Sequence, residues 1–513
     1  MFSLNKIELT AVLVFILSSA LAYIILAFNN WKRKYEFWTD RNVRQVGFWW
    51  DWSIDFFRHK LCNFQDIYDE FGEAPYGGYY QGAKPFLMIK DPELVRRVLI
   101  KDFAHFADRN PVVPTTNPLQ RDMILNLSRE RWKGVRARLT PVFTSGKLRR
   151  MSLLINECTR LLDEYLQRTV GDEATEIEVR GLFQKFTLDT IGICAFGINC
   201  SAIEDENSEF RRLLQKLNGP GGFRRHKLLM IIGAVCPRIL TIFNLKEKED
   251  TFVEDFFRSL VADTIKNREE QKAKREDFMQ LLINVRAEEL KMLQENNDDS
   301  EPLFTEGVCM ANAFLFFVAG FETTSTALSY CLYELAVNPE VMEKLYAEIT
   351  RVLDAHDGRV DYDILKEMEY LDTVISETLR LHPPGAWVDR LCTKAYQLPD
   401  STVVLAENTQ INIPIACLHN DPRNFPNPQK FDPDRFSPEN KHNIVPGSYL
   451  PFGEGPKACI AERFALTEMK AAIALIVSKY TVHACAKTEI PPKLNPQTFM
   501  NTPKTIYLKI CQR

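Results

Sequence analysis

The sequence predicts a mainly α protein with small β-sheets, headed by a helix able to span a membrane. Three observations lead there. Apolar residues recur at the helical period over six stretches of the body; the run Val308 to Phe321 is almost wholly apolar round every face, as in a buried helix; and short aromatic and apolar runs lie between Tyr76 and Ile89. The 513 residues carry 64 basic against 68 acidic side chains, a net charge of −4. That balance leaves no nucleic-acid footprint. A hydrophobic share of 45% excludes both extensive disorder and a polytopic membrane protein. Twelve dispersed cysteines with no C-x-x-C pair suit a reducing compartment and argue against a disulfide scaffold or a zinc ribbon.

The elements follow in chain order. Leu9 to Phe28 is uncharged, largely apolar and about the length that crosses ~30 Å of hydrocarbon. Ala20-Leu21-Ala22 offers a signal-cleavage pattern, but the apolar run continues beyond it, so an anchor is expected over residues 1–30. Lys32, Arg33 and Lys34 place the downstream chain on the cytosolic side. Residues 31–74 read as linker and the start of the body, and 75–513 as one further unit, since no repeat or long linker divides them. Gly77, Gly78 and Gly82 are expected as turn residues among the early strands. Asp91 is expected to cap a helix with Pro92 at its first position. The six helical stretches are Arg149–Arg168, Phe252–Lys266, Asp277–Gln294, Glu340–Leu353, Leu365–Arg380 and Arg463–Lys479. Leu391 to Pro446 reads as short strands and Pro-rich irregular chain.

Three motifs carry chemistry. The late loop ends in Pro451-Phe452-Gly453-Glu454-Gly455-Pro456-Lys457-Ala458-Cys459, a constrained turn that lets backbone approach another group closely. A helix starts just after Cys459, so its N-terminal amides favour a thiolate there, although a buried inert cysteine is the commoner fate of a free thiol. The apolar helix turns abruptly into Ala319-Gly320-Phe321-Glu322-Thr323-Thr324-Ser325-Thr326, where an acid beside several hydroxyls makes a small polar pocket able to relay protons; helix-packing Thr with a solvated Glu is the plainer alternative. Asn312 sits inside the apolar run. Glu377 and Arg380 stand three apart on one helix face, near enough to pair, a spacing common on protein surfaces.

Taken together the motifs A-G-x-E-T-T, E-x-x-R and F-x-x-G-x-x-x-C, in this order, resemble the cytochrome P450 family over essentially the whole chain from about Tyr76 onward. Trp132 and Arg136 resemble the family's W-x-x-x-R helix, Arg390 falls where microsomal members place a propionate-binding arginine, and Arg435 is similar to the arginine that joins Glu377 and Arg380 in a three-residue network. Two positions depart: Lys457 stands for the usual arginine and Ala461 for the usual glycine, so the propionate contact is a point charge instead of a fork, with a methyl against the porphyrin. The Pro-rich hinge expected after the anchor is also missing, the first proline being Pro75.

The resemblance implies the cytochrome P450 fold with 75–513 as its haem domain. It implies haem b with its iron ligated by the Cys459 thiolate, and Trp132, Arg136, Arg390, Phe452, Gly455, Lys457 and Cys459 as haem-binding residues. Glu322 and Thr323 would deliver protons, and Glu377, Arg380 and Arg435 would form a structural network. The implied activity is a haem-thiolate monooxygenase inserting one oxygen atom of O2 into a lipophilic small molecule, similar to the insect-like xenobiotic-metabolising microsomal group. Its electrons would come from NADPH through NADPH–cytochrome P450 reductase, with cytochrome b5 as a further partner and Lys133 and Arg138 as docking candidates. The protein would sit on the endoplasmic reticulum membrane with its body in the cytosol. Leu228 to Cys236 reads as an interfacial segment, and the Phe103-to-Asn126 loop, through Phe106, Val112 and Val113, as one wall of the substrate site. The other readings are an isomerase or dehydratase on the same fold and a catalytically weak haem-binding protein.

Overall fold

The computed structural model describes residues 18, 36–46, 59–81, 84–109, 118–171, 174–210, 212–213, 251–271, 277–297, 300–496, 498 and 500–513. The apolar run Leu9–Phe28 (apart from Ser18), the segment Leu228–Cys236, and Gly82, Val112 and Val113 therefore lie outside the described residues.

The helices are α1 (Lys60–Glu70), α2 (Pro92–Arg96), α3 (Pro118–Arg121), α4 (Arg129–Leu139), α5 (Ser145–Thr169), α6 (Val179–Ile191) and α7 (Thr251–Gln271). They continue with α8 (Phe278–Glu295), α9 (Glu306–Val337), α10 (Pro339–Ala355), α11 (Glu369–Leu381), α12 (Ile415–His419) and α13 (Glu462–Lys479). Strands β1 (Tyr76–Gln81), β2 (Lys84–Ile89), β3 (Thr175–Glu178), β4 (Val388–Leu391), β5 (Tyr396–Gln397), β6 (Val404–Leu405), β7 (Gln410–Ile413), β8 (Tyr480–Ala484) and β9 (Tyr507–Gln512) complete them. The strands form sheets of order β1-β2-β7-β4, β3-β9-β8 and β5-β6. In the first sheet β2 and β7 run parallel, with Leu87 opposite Ile411, and β4 pairs antiparallel with β7.

The apolar run is the first half of α9, which continues unbroken through Gly320 to Val337. By length and composition α9 could cross a membrane. It instead forms the core of the body, with Val308, Phe317, Leu328 and Leu332 buried among α6, α7, α13 and their neighbours. Gly320 lets α6 approach closely: a Cβ there would lie 2.8 Å from Ile191 Cδ1 of α6, so that side chain would have to move. The second core gathers β1, β2, β7 and α1 around Trp38, Phe71, Tyr79 and Leu87.

Two expectations need correction. Gly77 and Gly78 are not turn residues: they lie inside β1, where a Cβ would meet the Phe71 ring at 2.2 Å and the Trp38 ring at 2.3 Å. Their hydrogens make room for two core aromatics. The stretch from Leu365 to Arg380 is also not one helix. A short 3-10 turn, Ile364–Lys366, gives way to Glu367 and Met368, and α11 starts at Glu369, because the Glu348 carboxylate of α10 accepts hydrogen bonds from the amides of Tyr370 and Leu371 at 2.8 and 2.9 Å. A cap from another helix decides that boundary. Asp91 does cap α2, accepting from the Leu94 amide with Pro92 in the first turn.

Glu377 and Arg380 of α11 are both fully buried. Arg380 Nε donates to Glu377 Oε2 at 2.7 Å and Nη2 to Oε1 at 2.8 Å; Nη1 reaches the carbonyl of His419, and Nη2 also that of Pro428, each at 2.8 Å. Glu377 Oε1 further accepts from the Asp432 amide at 2.9 Å and from Arg435 Nε at 3.4 Å. A pair so far from water survives because each nitrogen of the guanidinium and each oxygen of the carboxylate has a partner. Replacing Glu377 by Ala leaves the Arg380 charge buried and unpaired, so Glu377→Ala should lose about 3–5 kcal/mol of stability. A urea midpoint within error of the parent protein's would contradict this account of the pair.

Candidate active site

The segment leading to Cys459 hangs from α11 and α12. His419, fully buried, donates from Nδ1 to the Arg380 carbonyl at 3.0 Å and accepts at Nε2 from the Leu450 amide at 2.8 Å. The Tyr449 hydroxyl donates to the Ser376 carbonyl at 3.0 Å. Beyond Leu450 the chain folds on itself: Gly453 N donates to Leu450 O at 2.9 Å and Cys459 N to Phe452 O at 2.8 Å. Gly455 has φ +76°, and a Cβ there would lie 2.1 Å from the Leu99 carbonyl oxygen, so only glycine fits. Phe452 is half-buried against the main core.

Cys459 emerges from this turn three residues before α13. Its side chain is accessible, yet protein encloses it so closely that burial pushes its thiol pKa up, against the lowering effect of a hydrogen bond from the Ala461 backbone. In the protein alone burial outweighs the helix N-terminus, so the thiolate expected from the sequence calls for a cation at the sulfur. Ala461 has φ −101° as the residue preceding α13, a conformation open to any L-residue.

Around the loop gathers a set of cations short of partners. Arg390 is buried with its Nε unpaired, and Lys457 is buried with its Nζ unpaired. Arg109 has an unpaired Nε, while its Nη2 donates to the Lys457 carbonyl at 3.5 Å. Burial first, and then the neighbouring guanidiniums, push Lys457 down to about 7. Burial and Arg109 push Arg390 down to about 9, and burial lowers Arg136. Lys457 Nζ lies 4.8 Å from the Trp132 ring centroid, and the Asp108 and Asp389 carboxylates favour its charge. Buried donors are rarely left unmade. Three cations with unmade hydrogen bonds, and Arg136 beside them, fit an anionic group carrying more than one carboxylate. Arg109 was not anticipated, because a single arginine in a loop carries no periodic signal.

The Glu322–Thr323 pair belongs to α9, which packs against α13. Ala319 is exposed and Thr323 half-buried, four residues apart on a helix whose Phe316, Phe317, Phe321 and Thr324 are buried. Thr323 Oγ1 donates to the Ala319 carbonyl at 2.6 Å. Glu322 is not a solvated side chain: α6 holds it, Arg180 Nη2 donating to Oε1 and Gln184 Nε2 to Oε2, both at 2.9 Å. Thr187 of the same helix donates to the Phe321 carbonyl at 2.9 Å. Arg180, Gln184 and Thr187 follow the i, i+4, i+7 spacing of one helix face, a polar stripe on a largely apolar helix that sequence reading could have picked out. Phe106, expected in a substrate wall, is instead a core residue, fully buried with its ring 4.8 Å from that of Tyr396. Arg138 pairs with Glu289 at 3.4 Å, and Lys133 is exposed.

Residues 47–510 match the family model described as cytochrome P450. Among curated relatives, the chain is 37% identical to cytochrome P450 9e2 of Blattella germanica over 459 residues, 85% of each chain. It is 35% identical to cytochrome P450 6j1 of the same species over 511 residues, 97% of each. It is 38% identical to the probable cytochrome P450 6a14 of Drosophila melanogaster over 456 residues, 87% of this chain and 88% of the relative.

The hydrogen bonds of His419 set a pH limit on the loop. Burial holds its folded pKa down at about 3, against an ordinary 6.5, because a second ring proton would confront the Leu450 amide. The sign follows: the contribution of His419 is complete above 6.5 and is lost below it, where only the unfolded chain takes the proton. Stability should fall by about 1.4 kcal/mol per pH unit from this group. His419→Gln, which does not titrate, should show a shallower decline of urea midpoint on acidification, and parallel profiles would contradict the assignment.

Proposed function

The chain belongs to the cytochrome P450 family, and from that premise we propose that Cys459 is the thiolate ligand of its haem iron. The protein is a haem-thiolate monooxygenase that uses NADPH-derived electrons delivered by a partner reductase. The observation that carries the assignment of Cys459 is its position: an accessible cysteine within reach of the Arg136 and Arg109 charges, in a loop where Lys457, Arg109 and Arg390 have unmade hydrogen bonds. When bound, haem supplies an iron centre where dioxygen is reduced, with thiolate donation favouring O–O cleavage.

The chain's own residues do the rest. Lys457, Arg109, Arg136 and Arg390 hold the two propionates, with Trp132 beneath Lys457 and Phe452 and Gly455 shaping the loop. Lysine offers one point contact where arginine would offer two, and Arg109 supplies further donors. Glu377, Arg380 and Arg435 hold the segment that carries the loop. The Thr323 hydroxyl moves a proton at its Oγ1, giving up its bond to the Ala319 carbonyl to do so, and Glu322 restores that proton from the α6 side. Phe316, Phe317 and Phe321 keep the surroundings apolar and exclude water. Substrates are lipophilic small molecules, a xenobiotic such as an insecticide or a hormone-like compound. Residues 1–30 anchor the protein in the endoplasmic reticulum membrane, 31–74 lead into the body, and 75–513 form the haem domain facing the cytosol. Lys133 contributes to the docking face for the reductase, and cytochrome b5 is a second donor. Isomerase or dehydratase chemistry is not favoured, since the acid–alcohol pair is present.

Two substitutions test this. Cys459→Ser should abolish the red-shifted Soret band of the reduced carbon monoxide complex while helix content is kept; retention of that band would assign the ligand elsewhere. Thr323→Ala should still consume NADPH but release more hydrogen peroxide per product, because general acid assistance supplies about 10²–10⁴-fold. Thr323→Ser should behave like the parent. Equal coupling in both variants would remove the hydroxyl from proton delivery.

A further inference from the structure

Asn312 is the one amide in the apolar first half of α9, and it is completely buried. Its side chain is fully engaged. Oδ1 accepts from the Ile124 amide at 2.9 Å, and Nδ2 donates to the Val308 carbonyl at 2.7 Å and to the Asp122 carbonyl at 3.3 Å. Two of these three bonds leave the helix for residues 122–124. The same stretch is seated on α9 by apolar contact, Leu119 and Met123 packing with Met310, Ala311, Phe314 and Leu315. At its polar end the Asp122 carboxylate lies beside Gly307 in the first turn of α9 and pairs with Arg121 at 3.3 Å and Arg131 at 3.8 Å.

Asn312, Ala319 and Thr323, spaced i, i+7 and i+11, lie within about 20° of the Asn312 direction round the axis and share a helix side, with Ala311 and Leu315 flanking it. Ala311 is covered by the 119–124 stretch, Leu315 is half-buried, Ala319 is exposed and Thr323 is half-buried. By helix rise, Asn312 lies about 10 Å along the axis from Ala319 and about 16 Å from Thr323. The clamped stretch therefore closes one end of the accessible side of α9. A leucine would satisfy packing at position 312; an amide, costly to bury unless paired, is explained by the chain it holds.

Resting on the monooxygenase assignment above, we infer that Asn312 is a positioning residue: by fixing residues 119–124 on α9 it sets how large a lipophilic substrate the site accepts. Asn312 touches no substrate and acts through Leu119 and Met123.

The test uses the full-length, haem-loaded protein and two azole probes, imidazole as the small ligand and clotrimazole as the bulky one, titrated by the Soret shift. In Asn312→Leu, amide hydrogen exchange in peptides covering 119–127 should accelerate about tenfold while that of Glu462–Lys479 is unchanged. The ratio of the two dissociation constants should move about tenfold, with the imidazole value held within about twofold. In the unaltered protein, clotrimazole and not imidazole should slow exchange in 119–127, a measurement that needs no variant to fold. Faster exchange with an unmoved ratio would reduce Asn312 to a core amide and overturn the inference, as would clotrimazole leaving 119–127 exchange unaltered. An unaltered protein with no azole spectrum would overturn the haem assignment and this inference together; a normal spectrum with an unmoved ratio overturns this inference alone.

Discussion

The buried Glu377–Arg380 pair is the constraint on which the site depends. Removing a carboxylate and a guanidinium from water costs several kcal/mol per ion, so the pair persists only with its remaining donors and lone pairs matched. Those partners come from far along the chain: the carbonyls of His419 and Pro428, the Asp432 amide and Arg435. Each satisfies the pair and is in turn pinned to α11. The Pro-rich stretch after β7, which has little regular structure of its own, is held in register by these bonds. Through His419 to Leu450, and Tyr449 to Ser376, the same helix sets where the Cys459 loop begins.

The site is built on the opposite electrostatic logic. Around Lys457, Arg109, Arg136 and Arg390 the charges are alike, burial depresses the proton affinity of Lys457, Arg136 and Arg390, and several donors remain unmade. Such a set stores unfavourable energy that a bound anion relieves. The folded protein is thus most comfortable when loaded, and its stability is linked to its cofactor by mass action. Lys457 sets its ammonium 4.8 Å from the Trp132 ring centroid, and Arg109 reaches the Lys457 carbonyl at 3.5 Å, so the two cations stand side by side.

The central helix α9 serves both halves. Its apolar circumference makes it the core, and α6 supplies polar partners where α9 turns polar. Arg180 and Gln184 grip Glu322, Thr187 takes the Phe321 carbonyl, and Ile191 fills the space that Gly320 leaves. The acid and the alcohol of the Glu322–Thr323 pair consequently face different partners, one a neighbouring helix and the other its own backbone.

Much was legible in the linear chain because it is local. Helical periodicity, the capping Asp91-Pro92 and the glycines around Cys459 depend on a few neighbouring residues, so five of the six expected helices appear close to their expected bounds, and α2 starts where expected. What the tertiary structure alone decided concerns faces and partners. The spacing of Glu377 and Arg380 is the same on an exposed helix as in a core; only the packing of the 419–435 stretch makes the pair buried. Gly77 and Gly78 read as turns until Trp38 and Phe71 are seen to fill the space above them. Arg109 joins the cation set, and Phe106 leaves the substrate wall, through folding of a loop that carries no period. Side-chain period is a property of one segment, whereas burial and charge pairing depend on which distant segment covers it.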